Sequence, residues 1–122
     1  MTQTVVVLGA SLKPDRYSNK AVRMLKEGGY DVIPIHPKFE EIEGLSVVSD
    51  IGLITQKVDT LTLYVGPEKS KNMLDSIISL HPGRVIFNPG TESQVLETHL
   101  AKHNIPYIKG CTLVMLENGT FD

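Results

Sequence analysis

The sequence predicts an α/β fold in which a parallel sheet of about five strands carries helices on both faces. Three observations lead there. Short continuous apolar runs such as Val5, Val6, Val7, Leu8 have the composition of strands covered on both sides, unlike the alternating pattern of a sheet with one wet face. These runs alternate with longer segments whose apolar residues recur at helical spacing, and that order calls for crossover connections between parallel strands. The chain has 122 residues, 41% hydrophobic and 21% charged, which suits one globular core. A second core would need roughly another 100 residues, so one domain spanning residues 1–122 is expected.

Taken in order, the first strand is Val5–Leu8, ended by Gly9. Ala21, Val22 and Leu25 mark the first helix, with Ser18 placed to cap its start and Gly28 and Gly29 to stop it. Tyr30 to Ile35 reads as the second strand, closed by Pro34 and Pro37 and followed by a turn-rich segment through Gly44. A helical turn is expected around Asp50 to Thr55, then a third strand from Val58 to Val65. Gly66 and Pro67 open the second helix, because proline at the first helical position has no amide to leave unpaired. Its apolar face is Met73, Leu74, Ile77 and Ile78, and Pro82 and Gly83 end it. Arg84 to Phe87 is the fourth strand, Asn88 to Thr91 a loop, and Glu92 to Asn104 the third helix, with Thr91 as its cap. Pro106 to Ile108 is the fifth strand, and Thr112 to Leu116 reads as either a further short strand or a docked tail. The predicted architecture is a Rossmann-like three-layer sandwich with strand order 3-2-1-4-5.

Composition excludes several function classes. Twelve Lys and Arg stand against 14 Asp and Glu, a formal charge of -2, so no global positive field gathers nucleic-acid backbones. No apolar run approaches the ~20 residues that span a bilayer, and Met1, Thr2, Gln3, Thr4 pass into the first strand without a charged leader, so the expected location is cytoplasmic. The single cysteine, Cys111, cannot form an internal disulfide, and no local Cys/His spacing assembles a zinc site around it. His99 and His103 are spaced to share a helix face, but no third ligand or general base sits in register. No Ser-His-Asp order, paired carboxylates or P-loop is present, so no catalytic residue is assigned.

In such a sheet ligands bind outside the carboxyl ends of the strands where the order reverses, expected here between the first and fourth strands. Gly9 permits a tight exit, Ala10 and Ser11 let the backbone approach a ligand, and the first amides of the following helix form an anion site. Leu12, Lys13, Arg16, Tyr17, Ser18 and Asn19 complete a loop longer than the usual two to about six residues, with Lys13 and Arg16 supplying charge. The dinucleotide fingerprint is missing, because its second and third glycines would fall on Ser11 and Pro14. After the second strand, where NAD requires an acid for the ribose hydroxyls, the chain reads His36, Pro37, Lys38. A lysine there suits a ribose that carries a phosphate, as in coenzyme A or, less well, NADP.

The ordered set of Val5-Val6-Val7-Leu8-Gly9-Ala10-Ser11, Tyr17-Ser18-Asn19-Lys20-Ala21, Gly29 through Lys38 and Lys109-Gly110-Cys111 resembles the small stand-alone bacterial CoA-binding proteins. Their domain is similar to the amino-terminal nucleotide-binding domain of the succinyl-CoA synthetase alpha subunit. The resemblance implies a binder of coenzyme A or an acyl-CoA, acting as a non-catalytic carrier, sensor or regulator. The synthetase's phosphorylated histidine lies in a second domain without a counterpart in this sequence, so ligase chemistry is not implied. By the same resemblance CoA is held by Gly9 to Lys13 with Arg16, Tyr17, Ser18 and Asn19, by Lys38, by Val65 in the turn after the third strand, and by Asn88, Pro89, Gly90, Thr91 and Glu92. An NAD(P)-binding oxidoreductase or redox-regulatory domain is the alternative, supported by fold alone. Cys111, following Lys109 and Gly110, is a candidate for thiol exchange with the pantetheine end of CoA.

Overall fold

The computed structural model describes residues 3–122; Met1 and Thr2, which open the leading stretch, lie outside the described residues. The chain runs β1 (Thr4–Leu8), α1 (Tyr17–Glu27), β2 (Asp31–Ile35), a hairpin of β3 (Glu41–Ile42) and β4 (Leu45–Ser46), and a 3-10 turn (Ile51–Leu53). It continues through β5 (Thr60–Leu63), α2 (Pro67–Ser70), a second 3-10 turn (Lys71–Met73), α3 (Leu74–Leu80), β6 (Arg84–Phe87), α4 (Gln94–Lys102), β7 (Tyr107–Lys109) and α5 (Thr112–Asn118). Five strands form one parallel sheet in the order β2-β1-β5-β6-β7, with Val6 opposite Ile33 on one side and Leu61 on the other.

Period-two alternation along the strands splits the core between the two faces. Val6, Leu8, Ile33, Leu61, Leu63, Val85 and Phe87 pack with Ile77 of α3 and Leu96 and Leu100 of α4. Val5, Val7, Val32 and Ile86 pack on the opposite face with Val22 and Leu25 of α1 and with Phe121. The three-layer parallel α/β architecture is therefore as the sequence predicts.

The strand order differs from the expected 3-2-1-4-5. In order of appearance the five sheet strands lie 2-1-3-4-5, because β5 sits against β1 and β2 takes the edge. The physical reason is Pro34. Its carbonyl points away from β1, accepting from the Val48 amide at 3.0 Å, so the side of β2 that lacks an amide hydrogen faces outward. Proline is tolerated at an edge and not in a strand paired on both sides. All four residues of β5 are buried, as its central position requires.

Several local expectations are corrected. Ser18 lies inside α1, whose N-cap is Arg16 with no side-chain cap bond. Ser93, not Thr91, caps α4, its hydroxyl accepting from the Leu96 amide at 3.2 Å. Residues 112–116 are not a strand; they dock as the start of a helix, α5, with Met115 and Leu116 packed on the core and Gly119 ending it in the left-handed conformation. The segment read as turns through Gly44 contains the β3–β4 hairpin, whose tip, Glu43 and Gly44, has positive φ at both residues, as tight hairpins require.

On β5 Thr60 and Thr62 share one face and are both fully buried and bonded, Thr60 donating to Gln3 and accepting from Arg84. Thr62 and Thr112 pair at 2.8 Å, and the Asn88 amide donates to Thr62 Oγ1 and to the Leu63 carbonyl. The Tyr64 hydroxyl is buried beside these groups without a hydrogen-bond partner of its own among the described residues, and burial pushes its pKa up to about 12. Tyr30, whose hydroxyl donates to Asp122 at 2.7 Å, is also raised to about 12, first by desolvation and then by that carboxylate.

Two predictions follow from this packing. A Cβ built on Gly9 would lie 2.8 Å from Val65 Cγ1 and 3.1 Å from the Tyr64 carbonyl, and φ there is +92°. Gly9→Ala should therefore destabilise the fold by about 3 kcal/mol through strain and overpacking, read by chemical denaturation. Tyr64 and Tyr30 keep their protons in the folded state while the unfolded chain loses them near pH 10, so the folded state binds more protons between pH 10 and 12. Stability should be unaffected by these groups below pH 10 and fall from there towards 12. Denaturation across that range, with Tyr64→Phe showing the shallower decline, checks the sign.

Candidate ligand site

At the carboxyl ends of β1, β2 and β5 the loops enclose a cavity of about 1310 Å³. Its walls are residues 9–13 with Arg16 and Ser18, the β2 exit from Ile35 to Pro37 with Phe39, and the β5 exit from Tyr64 to Lys69. Ser49, Asp50 and Ile51, with Asn72, Met73 and Ser76, close the far end. The order reverses between β1 and β5, so the crevice opens there and not between the first and fourth strands as the sequence suggested.

The first loop is pinned on several sides. The Gly9 and Ala10 amides both donate to the Ile35 carbonyl, at 3.3 and 3.1 Å, tying the β1 exit to β2. Asn19 is fully buried; its amide nitrogen donates to the Ser11 carbonyl at 2.8 Å and to Glu43 at 3.1 Å, while its oxygen accepts from Arg23 Nε at 2.8 Å. Arg23 also holds the Pro14 carbonyl at 2.7 Å. Within the loop the Ser11 hydroxyl accepts from the Lys13 amide at 3.1 Å. A backbone fixed in this way presents its remaining groups to a ligand with little entropy left to lose.

The electrostatics favour an anion at one end. No side chain caps α1 and no acidic residue stands in its first turn, so its opening amides have no side-chain acceptor, and Arg16 and Ser18 of that helix start line the cavity. Lys13 and Arg16 stand at that mouth, and Lys69 lines the opposite wall beside Glu68. The other end has an apolar floor of Ile51 and Met73 edged by Asp50, Asn72 and Ser76. On the β2 side His36 stacks on Phe39 with ring centroids 4.1 Å apart and planes 18° from parallel. Burial, followed by the charges of Lys38 and Lys69, lowers the His36 pKa from its ordinary value, which favours the neutral ring.

Of the residues singled out from sequence, Gly9, Ala10, Ser11, Leu12, Lys13, Arg16, Ser18 and Val65 meet in this cavity. Tyr17 points outward, 68% exposed, with the Lys20 ammonium 5.5 Å from its ring centre. The Asn19 side chain faces the loop it organises. Lys38 is exposed at the rim, between the lining residues Pro37 and Phe39. The Asn88 to Glu92 loop is not part of the lining. Asn88 is buried, and besides its bonds to β5 its oxygen accepts from the Thr112 amide at 2.9 Å. Thr91 donates to the Asn88 carbonyl at 2.7 Å, and the Gly90 amide donates to Glu92 at 2.9 Å, closing the turn that includes Pro89 on itself. Cys111 is the N-cap residue of α5, half-buried and outside the lining, and Lys109 is paired with Glu97 at 3.4 Å. The far end, from Ser49 to Ile51 and from Asn72 to Ser76, was not expected. Its signal was Pro34: an edge β2 brings the third strand beside the first, and with it the helix that follows the third strand.

No helix among the described residues is long and apolar enough to cross a membrane. An uncharacterized protein of known crystal structure is 40% identical to this chain, with a TM-score of 0.93 and 99% of each chain covered. Uncharacterized protein YneT of Bacillus subtilis (strain 168) is 25% identical over 77 residues, 63% of this chain and 57% of that protein, so the match spans little more than half of the relative. A dinucleotide-forming acetyl-coenzyme A synthetase of Ca. Korarchaeum cryptofilum shares the fold at 20% identity and a TM-score of 0.75, over 87% of this chain and 25% of that one. The family model described as CoA binding domain matches residues 3–117, and with nearly the whole length matched the chain belongs to that family.

Proposed function

We propose that this protein binds coenzyme A, or an acyl-CoA, in the cavity between β1 and β5, and that it acts by binding, as a carrier, sensor or regulator, without chemistry of its own. The observation that carries the reading is the pairing, in one cavity, of an uncapped helix start with no acid in its first turn, flanked by Lys13 and Arg16, with a lobe floored by Ile51 and Met73. A pyrophosphate needs the first and a purine ring the second. The donor set fits the group: backbone amides, two cations and the hydroxyls of Ser11 and Ser18 for phosphate oxygens, with Lys38 at the rim for a phosphate on the ribose. The volume of about 1310 Å³ is above the ordinary range for drug-sized ligands, as a nucleotide with a long arm requires. Membership of a CoA binding domain family supports the same ligand.

CoA should bind with micromolar-range affinity in calorimetry, and dephospho-CoA more weakly. Loss of one charge-assisted contact in a partly exposed site is worth about 1 to 2 kcal/mol, near tenfold in affinity. Equal affinities would remove the ribose-phosphate contact, and tighter binding of NAD than of either would defeat the reading. Ser11→Trp should abolish binding while circular dichroism stays unchanged, because the new side chain fills space in the cavity without entering the core. Full CoA affinity in a folded Ser11→Trp protein would place the ligand elsewhere.

A further inference from the structure

The turn that carries Lys38 out of β2 is closed by a side chain. The Lys38 amide donates to His36 Nδ1 at 3.0 Å, so Nδ1 carries a lone pair and the proton of the neutral ring is on Nε2. A side-chain acceptor two residues before the amide it binds is the geometry of an Asx turn, made here by an imidazole. Two further contacts fix the ring and the backbone beneath it. His36 stacks on Phe39, and its own amide donates to the Val48 carbonyl at 3.2 Å. His36 lines the cavity while Lys38 stands exposed beside it, so the bond holds the backbone from which a rim cation projects.

We propose that His36 is a positioning residue for ligand selection: its Nδ1 lone pair holds the turn that aims Lys38 at the ribose phosphate, and protonation of Nδ1 releases that turn. The proposal rests on the CoA reading only for the identity of the phosphate; the coupling between His36 and Lys38 belongs to the free protein. The charged groups around the ring are Lys38 on its own loop and Lys69 on α2, with Lys13 and Arg16 across the cavity from the first loop and Asp50 and Glu68 on the remaining walls. The two whose charges act on the ring, Lys38 and Lys69, are cations, and after burial they add to what favours the neutral ring and the closed turn.

The test uses two substitutions. His36→Asn retains an acceptor for the Lys38 amide without a titrating ring; His36→Phe retains the stacking on Phe39 without the acceptor. In calorimetry, His36→Phe should reduce the preference for CoA over dephospho-CoA, read as the ratio of the two affinities, by about three- to tenfold, and His36→Asn should restore the preference. Equal loss in both variants, or no loss in His36→Phe, overturns the positioning role. Absence of CoA binding by the unsubstituted protein would defeat the ligand reading alone. In that event NMR of the ligand-free protein still decides the coupling. The Lys38 amide signal should move with the ring titration of His36, at a midpoint below about 6.5, and stay flat in His36→Asn. A Lys38 amide indifferent to the ring titration overturns the proposal.

Discussion

The exits of β1 and β5 run so close together that a Cβ at Gly9 would lie 2.8 Å from Val65 Cγ1, and the walls of the cavity take their positions from that contact. β1 leaves the sheet at Gly9 directly against Tyr64 and Val65 at the end of β5, with no room for a Cβ between them. The Tyr64 amide donates to the Leu8 carbonyl at 2.8 Å, so the parallel ladder extends to the last residue before both chains turn away. Beyond that point the loops diverge to opposite sides of the sheet, α1 to one face and α3 to the other. The cavity is the space their divergence leaves. A side chain at position 9 would push the two exits apart and alter both walls at once.

Two buried asparagines tie distant segments of the chain together, one beside the cavity and one away from it. Asn19 in the first turn of α1 and Asn88 in the loop after β6 play similar roles, each using both ends of its amide to bond backbone or side chains of other segments. A buried amide with every partner satisfied fixes geometry more sharply than an apolar side chain of similar size, because rotation would strand donors and acceptors in a dry environment. Asn19 fixes the loop that lines the cavity. Asn88 fixes the ends of β5 and β6 against α5, away from it. Both read from sequence as ligand contacts, since a polar residue near a strand exit has the same appearance whether it turns outward or inward.

The cavity divides by chemistry into an end rich in amide hydrogens and cations and an end whose apolar floor, Ile51 and Met73, is edged by uncharged polar side chains and Asp50. The division follows from the fold: the first loop and the start of α1 provide the polar end, while the 3-10 turn at Ile51 and the α2–α3 segment, packed against the core, provide the other. His36 lies on the wall between β2 and this second end, where burial and neighbouring cations both keep it neutral.

The sequence by itself determined the fold class, since continuous apolar strands separated by helical segments leave a parallel sheet covered on both faces as the arrangement that buries them. It also determined the first loop: Gly9, the small residues after it and the basic pair Lys13 and Arg16 are a local pattern whose meaning does not depend on distant chain. What only the tertiary structure decided was which strand lies beside β1, and with it the composition of half the cavity. Strand adjacency depends on contacts between segments more than fifty residues apart, such as Val6 with Leu61, which no local period encodes. Pro34 bore on that choice. Its missing amide excludes a central place for β2, and a proline read only as the end of a strand conceals that a strand containing it must lie at an edge.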